Sequence, residues 1–125
     1  MNRGRKVTGG KYHKLRKKKK HTRKSQERVT TLAETKRKTI RKRGGGEKVI
    51  LLNADEANLV DQKGKVKKVK IENVIETPQN RFFARSNILM KGAIIQTSEG
   101  KAKITNRPSQ EGCVNAVLLK EQKTE

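Results

Sequence analysis

A phosphate-binding loop is the first chemistry that the spacing of this chain offers. Gly4-Arg5-Lys6-Val7-Thr8-Gly9 has the glycine interval of a nucleotide loop. Such a loop continues with Lys and then Ser or Thr, the lysine for the outer phosphates and the hydroxyl for magnesium. Here Gly10, Lys11 and Tyr12 follow, so the magnesium ligand is missing, and no strand precedes the loop. Nucleotide hydrolysis is set aside on that mismatch. His13 and His21 stand far from Cys113, the only cysteine. A Cys-based zinc site needs more thiolates, and the surrounding positive charge disfavours any metal cation. Both histidines read as hydrogen-bond donors to phosphate or base. Asp55, Glu56, Asp61, Glu72 and Glu76 are scattered as solvated carboxylates are, and no Ser–His–acid grouping stands out. The residues call for no catalytic centre, metal, cofactor or small-molecule substrate.

The chemistry that remains is charge. Arg3 to Lys24 contains no acidic residue, one tyrosine and two aliphatic residues, Val7 and Leu15. It has no apolar surface to bury and its charges repel, so it cannot collapse alone. A polyanion removes both problems. Lysine and arginine contacts to phosphate release condensed counterions, which makes affinity steep in salt. Arg3, Arg5, Lys6, Lys11, Lys14, Arg16, Lys17, Lys18, Lys19, Lys20, Arg23 and Lys24 are the candidate phosphate contacts. Tyr12 and His13 sit inside the run, where they either stack on exposed bases or, for Tyr12, pack on the protein.

Net charge over the 125 residues is +21, and it is unevenly placed. Residues 1–43 hold 19 basic and 2 acidic residues, whereas residues 44–125 hold 14 and 10. The second part also holds almost all the aliphatic residues. The division expected is a basic arm over residues 1–34, a folded domain over 35–119 and a polar tail over 120–125. A lone cysteine fits a reducing interior. No apolar run approaches the ~20 residues of a membrane span, and the N-terminus lacks a signal-peptide core. The expected location is the cytoplasm.

The elements that must position the cations read as short strands. A helix over Lys11–Gln26 is opposed by like charges four apart, such as Lys14 and Lys18, so irregular backbone is expected there. Thr35–Arg43 reads as a strand with Thr39, Arg41 and Arg43 on one face. Lys48–Ala54 reads as a strand buried on both sides. Ala57–Asp61 and Lys65–Thr77 flank a turn at Gln62-Lys63-Gly64. Val69, Ile71 and Ile75 share a face of the second, with a bulge expected near Lys67 because Val66 is out of phase. Arg81–Asn87 reads as a helical turn or loop. Phe82 and Phe83 are expected in the core rather than as base-stacking platforms, with Arg81 and Arg85 beside them as further candidate nucleic-acid contacts. Ala93–Thr97, Lys101–Thr105 and Cys113–Leu119 complete the set, the last two separated by a loop holding Arg107, a further candidate contact. The class is all-β: a small antiparallel barrel of six to seven strands with a long, basic, irregular N-terminal arm.

Ordered stretches along the chain resemble one family. They are Gly4–Lys11, Arg43-Gly44-Gly45, Ala57–Asp61, Val69-Lys70-Ile71, Asn80–Ile88, Lys91–Ile95, Thr105–Gly112 and Val114–Leu119. Together they are similar to small-ribosomal-subunit proteins of the eukaryote-type eight family, in the short form found in archaea. Val7 stands where that family usually has Pro. The resemblance implies a barrel with a basic arm, bound to small-subunit ribosomal RNA among neighbouring ribosomal proteins. It also implies that Thr8, Gly9, Gly10 and Lys11, and the strand carrying Arg41 and Arg43, face RNA. A free-standing RNA chaperone or translational regulator is the rival reading, and a nucleic-acid enzyme the third.

Overall fold

In a computed structural model that describes residues 4–13, 16–24 and 27–119, the chain folds as strands with one helical turn. The strands are β1 (Thr31–Leu32), β2 (Lys36–Arg41), β3 (Glu47–Ala54), β4 (Glu56–Val60), β5 (Val66–Glu76), β6 (Ile94–Thr97), β7 (Gly100–Ile104) and β8 (Asn115–Leu118). The helix α1 (Arg81–Arg85) lies between β5 and β6. Strands β4 to β8 close into a barrel in chain order, and β8 returns to pair with β4 in parallel. The remaining barrel pairs are antiparallel. The other three strands form a separate sheet with β3 at its centre. The expected all-β barrel is therefore present, closed by five strands instead of six or seven. The others belong to the second sheet, and β1 at two residues is too short to leave a pattern.

A five-stranded barrel is narrow, so large side chains need small ones opposite them. The alanines supply these. Ala57 pairs with Val69, and Ala102 with Ile95. Ala116 stands between Leu59 and Ile104. Ala57, Ala93, Ala102 and Ala116 are all buried, as are Leu59, Ile95 and Ile104. Leu51 and Ala54 of β3 join the same core, which couples the second sheet to the barrel.

The expected bulge near Lys67 is displaced. The β4–β5 ladder runs without interruption from Val60–Val66 to Glu56–Lys70. The register shifts come later, between Ile71 and Asn73 and again between Val74 and Glu76, where β5 pairs with β6. An extra residue there bends the strand from one neighbour to the next. It also changes the inward phase. Val74 is buried, and Ile75 is 43% exposed instead of lying with Val69 and Ile71. The Asn73 side-chain carbonyl accepts from the Val74 N–H at 2.8 Å, which satisfies the backbone at the shift. Val66 resolves its own phase conflict by staying exposed at the open end of the strand.

Two further readings are corrected. Thr35–Arg43 is not strand throughout: β2 stops at Arg41, and Arg43 lies in the turn closed by the Lys42 N–H on Gly46 O. Gly44 and Gly45 both have positive φ there, which ends the ladder. Phe82 is not core but 58% exposed. On one short helix adjacent residues point in different directions. Phe83 and Ala84 are half-buried, Ala84 packs on the core, and Phe82 is left outside with the Arg81 guanidinium 5.3 Å from its ring centre.

The root of the arm is tied into this body. Thr30 is buried, and its hydroxyl donates to Leu51 O at 2.9 Å. The Leu89 N–H donates to Thr30 O at 2.8 Å, and the Leu32 N–H to Asn87 O at 2.9 Å. Residues 30–32 therefore lie between β3 on one side and the segment 87–89 on the other.

Candidate nucleic-acid interface

Glycines give the first part of the arm a shape. Gly4 and Gly9 have positive φ, open to glycine at little cost. A turn forms in which the Gly9 N–H donates to Lys6 O and the Lys6 N–H to Gly10 O, both at 2.8 Å. Arg5 and Lys11 face each other across the resulting small hairpin, and the Arg5 guanidinium donates to Gly9 O at 3.0 Å. Lys6 lies over the Tyr12 ring, 5.9 Å from its centre. Tyr12 itself is 64% exposed, so its other face is open. Arg5, Lys6, Thr8, Gly9, Gly10, Lys11, Tyr12 and His13 thus gather on one exposed loop. Arg3 and Lys14 lie outside the described residues.

The next stretch is more open. Arg16, Lys17, Lys18 and Lys19 lie on exposed backbone without regular structure. Lys20, His21 and Thr22 make a single 3-10 turn. The Thr22 hydroxyl and N–H both donate to Lys19 O at 2.9 Å. Arg23 and Lys24 follow, exposed. The irregular backbone expected of the arm is what these residues show, apart from the hairpin and this turn.

On the body the candidates divide. Arg41 and Arg43 are exposed at the β2–β3 turn. Arg81 and Arg85 are exposed on α1, beside Phe82. Arg107 is exposed on the β7–β8 loop and lines a cleft together with Arg28, which sequence reasoning passed over. Arg28 lies just beyond the acid-free run, and only the return of residues 27–30 to the body brings it to Arg107. Lys36 and Lys38 add charge to β2, on the alternate positions from Arg37 and Arg41.

Acidic partners are concentrated elsewhere. Among the described residues the ion pairs are Lys67 with Glu99 at 3.0 Å and Asp61 at 3.5 Å, and Lys68 with Glu56 at 2.7 Å. A hydrogen bond to Glu99, then the charges of Asp61 and Glu99, hold the Lys67 ammonium above its usual pKa. These two lysines of β5 are neutralised by the body. The arm and β2 have no ion pair among the described residues. Arg37 instead donates to a carbonyl, Gly112 O, at 2.9 Å. Such an arrangement offers cations and exposed stacking surface to a polyanion.

If the exposed cations at the β2–β3 turn meet phosphate, replacing Arg41 and Arg43 with Ala should weaken binding to an RNA polyanion, with a shallower salt dependence by one to two units, roughly one for each phosphate no longer neutralised. Thermal unfolding should be almost unchanged, since both side chains are exposed. Filter binding over a salt series and a melting curve check the two halves.

Comparison with known proteins completes the description. The family model for ribosomal protein S8e matches residues 1–119. Small ribosomal subunit protein eS8 of Methanocorpusculum labreanum is 47% identical over 116 residues, covering 92% of this chain and 93% of the relative. The protein of that name from Methanococcus aeolicus is also 47% identical, over 119 residues, with 94% and 93% covered. That from Haloarcula marismortui is 44% identical over 115 residues, with 92% and 93% covered. Identity at this level over nearly the full length of each, with a family match spanning arm and barrel alike, leads to one conclusion: the chain belongs to the ribosomal protein S8e family.

Proposed function

We propose that this chain is a structural constituent of the small ribosomal subunit, holding ribosomal RNA through its cationic arm and the basic face around β2. The observation that carries the reading is the segregation of charge. Every described residue from Gly4 to Lys24 is exposed and none is acidic, and Thr30, six residues further on, is buried. A fixed root with an unneutralised cationic leader suits threading between RNA helices, where phosphates converge and repel. The barrel then sits nearer the particle surface among neighbouring ribosomal proteins. The relatives' shared name, small ribosomal subunit protein, supports the same placement. Membership in a ribosomal-protein family sets the enzyme reading aside.

Sedimentation of cell extracts tests it against the RNA-chaperone reading. A structural constituent stays with small subunits through gradients at moderate salt and leaves only when high salt screens phosphate contacts. Recovery at the top of the gradient at moderate salt would refute the proposal.

A further inference from the structure

Where the arm enters the body there is a cleft of about 490 Å³. That lies within the roughly 300–1,000 Å³ typical of small-molecule sites. Val29, Phe83, Leu89 and Met90 form its apolar lining, and Arg28 and Arg107 stand on it from opposite segments of the chain. Gln110 also lines it. The Gln110 side-chain carbonyl accepts from the Lys48 ammonium, which turns its amide N–H groups away from that partner and leaves them to donate. Leu89 is buried and Phe83 half-buried, so the ring is held in place by the fold.

We infer that this cleft receives one unpaired nucleobase of the bound ribosomal RNA, stacked on Phe83, with Arg28 and Arg107 holding the phosphates on either side. The inference rests on the RNA-binding reading above and adds a base-sized site to it. Charge complementarity selects the occupant. Neither arginine is in an ion pair among the described residues. An apolar side chain from a neighbouring protein would fill the lining but leave both guanidinium groups unanswered. A nucleotide satisfies the two halves together, since its base is flat and apolar on its faces and its backbone is anionic. The base edge meets acceptor and donor groups: Glu27 and Ser109 line the same cleft as Gln110. Continuity with the arm supplies the RNA, because a strand followed by residues 16–24 arrives at residues 27–30, which form one wall.

The test uses small subunits assembled from their own ribosomal RNA and the full-length protein, irradiated with ultraviolet light and analysed by mass spectrometry. The expected result is a single nucleotide joined to the peptide containing Phe83 or Met90. Ser109→Trp, which fills the cleft from its loop, should abolish that product and weaken RNA binding about 5- to 150-fold, the range for removing one stacked base. Phe83→Leu, which keeps the wall apolar without the ring, should also remove the product and weaken binding, and melting curves confirm that both variants fold. Nucleotides joined to arm lysines but none to the cleft, with Ser109→Trp binding as the unaltered protein does, would overturn the site and leave RNA binding standing. A neighbouring protein's peptide crosslinked at Met90 would overturn it in favour of a protein occupant. Absence of RNA from every part of the chain would overturn both readings.

Discussion

Removing residues 1–26 should abolish most of the salt-sensitive affinity for small-subunit ribosomal RNA, since a protein with roughly 6–10 phosphate contacts loses about a thousandfold or more between about 50 and 200 mM salt and the truncated chain should not. The segment holds twelve Lys and Arg residues and no acid. If half or more of them meet phosphate, the logarithmic salt slope should become shallower by about five units, at roughly 0.7–0.9 per phosphate. Stability should hardly move. The described residues of this segment are exposed throughout, and the first buried one among the described residues is Thr30. Binding isotherms at several salt concentrations give the slope, and denaturant unfolding gives the stability. An unchanged slope with a truncated arm would show that the phosphate contacts lie elsewhere.

Ile95→Ala should do the reverse. Ile95 is fully buried on β6, paired with Val74 on one side and Ala102 on the other. Truncation removes three methylene-sized groups from a narrow barrel whose strands are hydrogen-bonded all round. The walls cannot collapse into the space, so destabilisation of about 2–5 kcal/mol is expected, from reduced burial and from the cavity left behind. Ile75→Ala is the control. Ile75 has the same chemistry one strand away but is exposed, and the change should fall within about 0.5 kcal/mol of the unaltered protein. Urea unfolding of both variants separates the two positions. RNA affinity per folded molecule should be the same for both, since neither side chain carries charge.

That pair of isoleucines marks the limit of what the residues alone reveal. Alternation identified β5 as a strand, and its length was nearly right. It could not locate the bulges, because the pairing that changes at Ile71 is with β6, far along the chain. Val66 looked like the anomaly, yet an exposed valine at a strand end needs no extra residue to explain it. The same blindness to distant partners applied to α1. Two adjacent phenylalanines look like core, but one short helix can turn only one of them inward. The acid-free arm, by contrast, was legible at once, since like charge without apolar residues is a local property. The hairpin at Gly4–Tyr12 was not: the glycine interval invites comparison with a nucleotide loop, and the arm is expected to be irregular. The cleft was invisible: Arg28, Phe83 and Arg107 belong to three separate segments, and only the return of the arm's root to the 87–89 segment joins them.

The order of strands in the barrel has a consequence for synthesis. β8 closes the ring by lying beside β4, and it is the last of the eight to be made. The chain therefore leaves the translating ribosome with its cations first, while the free edges of β4 and β7 wait for one late segment. During that interval the nascent protein can already adhere to any RNA nearby but has no closed interior to shelter its apolar residues. Released chains ending near residue 110 should be cut readily by protease throughout the barrel strands, and chains that reach residue 119 should resist. Equal resistance at both lengths would mean that closure is not the event that consolidates the body.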